Sequence, residues 1–190
     1  MVDPLAPKSN IAWSRVARRI RVPLGFVFAI FYWWRARPTW TFLLAGALIA
    51  SLGIALRTVA SGHVKKNQEL ATTGPYAYVR NPLYLGSMIL AAGFAVAARD
   101  LWVAIAMVAM FVLIYVPVIG DEETFLRKQF PGYDEYARRV PGLLPRTLQF
   151  RQTMAGFSRE LYWQHREYNA LLGAGAMLAA LAIKILWFHG

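Results

Sequence analysis

The sequence predicts an all-α fold, a polytopic membrane helical bundle of about five transmembrane helices, on three observations. First, 57% of the 190 residues are hydrophobic and only 16% charged, against about 25% charged in an average soluble domain. Second, the apolar residues gather into runs of bilayer-crossing length, ~20 residues for ~30 Å of hydrocarbon. Third, a net charge of +11 coexists with a mean hydropathy of +0.37, and the basic residues sort onto alternate connections, as the positive-inside rule requires. Such hydrophobicity excludes a disordered chain. The absence of cysteine excludes a disulfide framework, a thiolate metal site and a cysteine nucleophile. The length suits a single domain over 1–190, divisible into an N-terminal region (1–38), a core (39–147) and a C-terminal region (148–190).

Val22–Trp34 is the first apolar segment. Its thirteen residues rise only ~20 Å, so length alone fits a re-entrant helix as well as a span. Charge separates the two readings. If the segment spans, Lys8, Arg15, Arg18, Arg19 and Arg21 join Arg57, Lys65, Lys66, Arg80 and the eight basic residues from Arg127 to Arg166 on one side. That is 17 of the 21 basic residues, leaving Arg35, Arg37, Arg99 and Lys184 opposite. Without a span the division is 12 against 9. The asymmetry favours five spans, with the N-terminus cytoplasmic, the C-terminus outside, and Tyr32, Trp33 and Trp34 as an interfacial belt. No small-residue cleavage site follows the segment, so a secretory signal fits poorly.

The second segment, Thr39–Leu56, lies between Pro38 and Arg57, and the third, Leu83–Ala98, between Pro82 and Arg99. The fourth, Leu101–Ile119, ends at Gly120-Asp121. Only Arg99-Asp100 separates the third and fourth, which predicts a tight helical hairpin. The last, Tyr168–Phe188, is interrupted only by Lys184, about one turn from its end, where a long stem can snorkel. Small residues at Gly46 and Ala50, Ala91 and Ala95, and Gly175 and Ala179 allow close helix approach. Ahead of the last span, Phe150, Met154, Phe157 and Leu161 share a helical face, which predicts an amphipathic surface helix.

Two polar stretches, Arg57–Pro82 and Gly120–Glu167, fall on the cytoplasmic side, and seven of the ten acidic residues lie in the second. In the first, Gly74-Pro75 signals a turn, Pro82 suits the first turn of a helix, and Asn81 sits where its side chain can cap it. Arg80, Tyr76, Tyr78 and Tyr84 crowd that helix start, and an arginine there suits a carboxylate or phosphate. In the second, Glu123 and Arg127 are spaced as an ordinary i, i+4 surface pair. Yet Asp121-Glu122-Glu123 places three acids at a boundary otherwise basic, where Glu122 or Glu123 can hold a cationic ligand group. His63, His165 and His189 lie outside both clusters and read as structural.

Gly74-Pro-Tyr-Ala-Tyr-Val-Arg-Asn-Pro-Leu-Tyr-Leu-Gly86 resembles the Arg-His-Pro-x-Tyr-x-Gly signature of the isoprenylcysteine carboxyl methyltransferase and phospholipid methyltransferase superfamily. Glu122-Glu123-x-x-Leu126-x-x-x-Phe130-x-x-Tyr133-x-x-Tyr136-x-x-x-Val140-Pro141-x-x-x-Pro145 resembles its second signature, and the resemblance covers roughly residues 40–147. It implies an integral membrane methyltransferase using S-adenosylmethionine bound at the cytoplasmic face, with a lipophilic acceptor entering from the bilayer. By position, it implies a cofactor pocket of Tyr76, Arg80, Asn81, Pro82, Tyr84, Gly86, Glu122, Glu123, Tyr133, Tyr136, Val140 and Pro141. Glu123 and Arg127 are its catalytic candidates, and no metal is implied. One departure stands out: Asn81 replaces the usual histidine. An amide donates and accepts hydrogen bonds but does not titrate as a base at neutral pH.

Two other classes compete. Membrane reductases of the sterol type share a related Arg-x-Pro-x-Tyr-x-Gly element and use NADPH, but carry more spans than 190 residues allow. A non-enzymatic scaffold whose basic loops bind anionic lipid accounts for the charge, though not for the Glu-Glu and Arg-Asn-Pro elements. Nucleic acid is a poor partner, because the basic residues are spread along loops beside apolar spans.

Overall fold

A computed structural model describes residues 9–65, 68–145 and 157–188; for 9–19, 21–22 and 188 it describes the backbone alone. Eight α-helices appear among the described residues, without a strand: α1 (Ser9–Arg35), α2 (Trp40–Ser61), α3 (Pro82–Ala98), α4 (Leu101–Met110), α5 (Val116–Gln129), α6 (Tyr133–Arg139), α7 (Arg159–Gln164) and α8 (Tyr168–Phe188). Among the described residues three stretches are long and apolar enough to cross a membrane: Trp40–Ser61, the continuous Leu101–Gln129, and Tyr168–Trp187; Pro82–Ala98 is a shorter apolar helix. The chain is an integral membrane helical protein.

The first helix corrects the sequence reading. It runs from Ser9, well before Val22, and continues through Pro23. A proline inside a membrane helix is tolerated where neighbouring groups re-satisfy the freed backbone. Leu24 packs against Ile114 and Val118 on the continuous α4–α5 helix. At the other end of α1, Arg35 forms an ion pair with Asp100 at 2.7 Å, ahead of α4. Helix α1 therefore runs antiparallel along α4–α5 instead of dipping in and returning. Tyr32 is no belt residue. It is buried, donates its hydroxyl to the Phe94 carbonyl at 2.9 Å, and meets that ring edge-on, whereas Trp33 and Trp34 are exposed.

Helices α2 and α3 form the closest contact. Gly46 and Gly53 on one face Gly93 and Gly86 on the other, in antiparallel register. A Cβ on Gly93 would fall 2.5 Å from the Ala50 nitrogen and 2.6 Å from the Gly46 carbonyl oxygen. Helix association in lipid depends on such close packing, because there is no water to expel. Of the predicted small pairs, Gly46 with Ala50 makes this contact; Gly175 has nothing within 4 Å of where its Cβ would sit. The last helix packs on α2 instead, and its Leu181 and Ile185 join the buried cluster that includes Tyr32, Leu43 and Ala97.

The hairpin at Arg99-Asp100 is as tight as predicted. Arg99 takes the left-handed conformation (φ 49°) that ends α3, and Asp100 caps α4 by accepting from Val103 N–H at 3.1 Å. Between α4 and α5 the helix widens into a π turn over Phe111–Tyr115. Pro117 supplies the cause, since its ring clashes with the carbonyl four residues back in an ordinary α-helix.

The ends sort by chemistry. At one end, Arg35 meets Asp100, Arg37 N–H donates to the Ala98 carbonyl, and Lys184 reaches the Trp33 carbonyl. At the other, Arg57 meets Glu167 and Arg80 meets Glu123. Both polar stretches thus occupy a single end, as the charge pattern requires. The predicted amphipathic helix lies mostly outside the described residues, with Phe150 and Met154. Its described part differs: Phe157 and Ser158 are not helical, Ser158 caps α7, and Phe157 lies over Gly62.

Candidate functional site

The first motif turns where predicted, in a 3-10 turn over Gly74–Ala77. Gly74 has φ +57°, and a Cβ on it would meet the His63 ring at 2.6 Å, so both backbone and space require glycine. The chain then runs without regular structure into Asn81, and the second motif lies beside it. Arg80 N–H donates to the Pro141 carbonyl at 2.8 Å and Asn81 N–H to the Gly142 carbonyl at 3.1 Å. Val140 and Pro141 are thereby brought to the back of the motif and not to the cavity surface.

Asn81 occupies the cap position of α3 without capping it. Its side-chain amide donates to Glu123 Oε1 at 3.0 Å and to the Gly142 carbonyl at 3.2 Å. Both partners are acceptors, so the amide nitrogen must face them. Glu123 does not pair with Arg127 as the spacing suggested. It accepts from Arg80 at 3.3 Å, while Arg127 turns to Asp134 at 2.7 Å and lies over the Tyr133 ring, 53% exposed. Long-range pairing across the two motifs displaces the local helix pair.

Above this network is a cavity of about 260 Å³, lined among others by Tyr76, Arg80, Asn81, Pro82, Tyr84, Glu122, Tyr133 and Tyr136. Eight of the twelve expected pocket residues therefore surround one space. Glu122 faces it and accepts from the Tyr84 hydroxyl at 2.9 Å. Glu123 lies behind, and Gly86 faces α2. Arg127 is not brought to the cavity. Sequence reasoning missed the opposite wall, Val64, Lys65, Glu69, Leu70 and Ala71, together with Leu83, Phe125 and Leu126. Phe125 and Leu126 follow Glu122 by three and four positions, one helical turn, and that spacing was the available signal.

Among the described residues three buried side-chain atoms lack a hydrogen-bond partner of good geometry, Arg80 Nε, the Tyr133 hydroxyl and His63 Nε2, although the Arg80 side chain lies against the Tyr133 hydroxyl. Tyr136 donates to the Tyr76 carbonyl at 2.7 Å. Burial pushes the phenols of Tyr76, Tyr133 and Tyr136 above their ordinary range, reinforced for Tyr133 by the Glu123 charge. All three remain protonated at neutral pH. No cluster of three or more His, Cys, Asp or Glu residues able to hold a metal occurs among the described residues.

Residues 39–132 match the phospholipid methyltransferase family. Two curated relatives are similar: the nickel-cobalt-cadmium resistance protein NccN of Alcaligenes xylosoxydans xylosoxydans and the cobalt-zinc-cadmium resistance protein CzcN of Cupriavidus metallidurans. The first is 35% identical over 54% of this chain and 51% of its own length, the second 36% identical over 69% and 64%. The chain thus spans between half and two thirds of the relatives it matches. No solved structure matches it significantly.

Proposed function

Since residues 39–132 belong to the phospholipid methyltransferase family, within the integral membrane methyltransferase superfamily, we propose that this chain transfers a methyl group from S-adenosylmethionine to a lipophilic or membrane-associated acceptor. The observation that carries the reading is the shared cavity of the two motifs, lined by Arg80, Glu122, Tyr76, Tyr84, Tyr133 and Tyr136. The donor set fits the cofactor. The Arg80 guanidinium suits its carboxylate, Glu122 its amino group or ribose, and the tyrosine faces its adenine or sulfonium, a cation–π contact being worth ~0.5–2 kcal/mol.

When bound, S-adenosylmethionine supplies a methyl group already activated on a sulfonium. The protein's work is then orientation and exclusion of water. The Asn81 amide is engaged by Glu123 and Gly142, which leaves Oδ1 as an acceptor that carries no proton. Proton-accepting side chains on the cavity wall are Glu122 and Glu69. An acceptor arriving as a carboxylate or thiolate needs neither, whereas an ammonium acceptor first gives its proton to one of them. In this reading the acceptor enters between helices from the bilayer, and anionic lipids contact the basic collar. Any share in metal resistance, which the relatives' names state of them, runs through the methylated product.

Membranes containing the chain, given S-adenosylmethionine labelled in its methyl group, test this. We expect label in an organic-solvent-extractable product, abolished by Arg80→Ala. Label no greater than in membranes lacking the chain, or extractable product formed only with NADPH, contradicts it.

A further inference from the structure

The last helix lies beyond the family-matched residues, yet it is tied to the cavity wall. Glu167, immediately before α8, accepts from Arg57 Nε at 3.0 Å and from a terminal guanidinium nitrogen at 2.7 Å, both onto Oε2. The pair is largely enclosed, with side chains 21% and 12% exposed. The other terminal nitrogen of Arg57 crosses to α3, donating to the Leu83 carbonyl at 3.3 Å and to the Ser87 hydroxyl, which itself bonds the Leu83 carbonyl. Leu83 lines the cavity beside Pro82 and Tyr84 in the same first turn.

Gly86 makes this crossing possible. A Cβ there would lie 2.6 Å from Arg57 Cγ. The signature glycine, expected in the cofactor pocket, instead gives the arginine stem its passage over α3. The planar guanidinium offers donors along fixed edges, so loss of Glu167 strips one edge and frees the other to leave Leu83 and Ser87. Neighbouring contacts hold the C-terminal region to the same end of α2: Ser158 N–H donates to the Gly62 carbonyl at 2.9 Å, and His165 Nδ1 lies 3.2 Å from the Ser61 carbonyl.

We propose that Glu167 is a positioning residue of the methyl-transfer site, holding Arg57 so that Arg57 fixes the first turn of α3 against the cavity. The last helix is thereby part of the site's framework as well as a membrane span. This rests on the cavity being the S-adenosylmethionine site.

The test uses the full-length protein in detergent, with calorimetric affinity for S-adenosylhomocysteine and thermal midpoint read together. Glu167→Ala lowers affinity about tenfold, the equivalent of one hydrogen bond lost between the displaced wall and the ligand, and Glu167→Asp recovers most of it. The reversed pair Arg57→Glu with Glu167→Arg rebuilds the link between α2 and α8 but donates nothing from α2 to Leu83 or Ser87. It recovers the thermal midpoint and not the affinity. Ser87→Ala, which leaves the ion pair intact, lowers affinity in the same direction. Wild-type affinity in Glu167→Ala or Ser87→Ala, or full recovery of affinity in the reversed pair, overturns the positioning role alone. A wild-type protein that does not bind S-adenosylhomocysteine removes the cofactor reading and this role with it.

Discussion

Replacing Glu122 and Glu123 one at a time by glutamine separates two residues that are adjacent in sequence and different in environment. Glu123 Oε1 takes Arg80 at 3.3 Å and Asn81 at 3.0 Å, with the Arg80 and Glu123 side chains 17% and 21% exposed. Hydrogen bonds to a charged group contribute ~1.5–3 kcal/mol each, less where water reaches the pair. Glutamine keeps one acceptor and removes the charge opposing Arg80, whose Nε already lacks a partner. A loss of about 1.5–3 kcal/mol follows. At roughly 2–4 °C per kcal/mol for a chain of this size, the thermal midpoint falls by about 3–12 °C. Glu122→Gln disturbs one exposed hydrogen bond, to Tyr84, worth no more than ~1 kcal/mol. Its midpoint stays near wild type while affinity for S-adenosylhomocysteine drops. Differential scanning fluorimetry and calorimetry on the two variants read both effects. Equal destabilisation by the two, or a Glu123→Gln midpoint indistinguishable from wild type, refutes the separation of a structural glutamate from a ligand-facing one.

Other perturbations reach other parts of the account. Gly93→Ala drives a methyl group into the Ala50 and Gly46 backbone and costs about 1–3 kcal/mol; Gly175→Ala meets open space and gains up to about 1 kcal/mol, so their thermal midpoints move in opposite directions. Burial raises the Asp100 carboxyl, but the Val103 N–H and Arg35 more than offset it and hold it below its ordinary 3.8. The stability this gives is fully present above that value and lost as pH falls through the lower folded one, so Asp100→Asn, which keeps the cap acceptor, flattens the acid limb of a stability–pH curve; an unchanged acid limb contradicts it. Because the chain has no cysteine, Arg37→Cys labels with an impermeant maleimide from outside intact cells, whereas Lys65→Cys labels only after permeabilisation; the reverse pattern inverts the topology.

The spans were legible because burial in lipid acts on single residues: Leu83–Ala98, Leu101–Ile119 and Tyr168–Phe188 fall within observed helices, and Thr39–Leu56 does so but for Thr39, which precedes α2. The π turn follows from Pro117, but no local propensity marks where the wide turn falls. The length of α1 was hidden because hydropathy stops at Val22 while the backbone helix does not. In the site, the family resemblance grouped Arg80, Asn81, Tyr133 and Tyr136, which line one cavity, but the direction of each side chain depends on contacts made from afar. Asn81 reads locally as a cap; the Gly142 carbonyl, 61 residues away, and Glu123, 42 away, claim its amide. The Arg57–Glu167 pair joins residues 110 apart, a distance at which composition and periodicity carry no information.

Isothermal titration of the detergent-purified chain with S-adenosylhomocysteine, and separately with NADPH, tests the central claim most directly. The account predicts saturable binding of S-adenosylhomocysteine, weakened by Glu122→Gln and by Arg80→Ala, and no heat with NADPH. Binding of NADPH in its place, or no binding of S-adenosylhomocysteine, contradicts it.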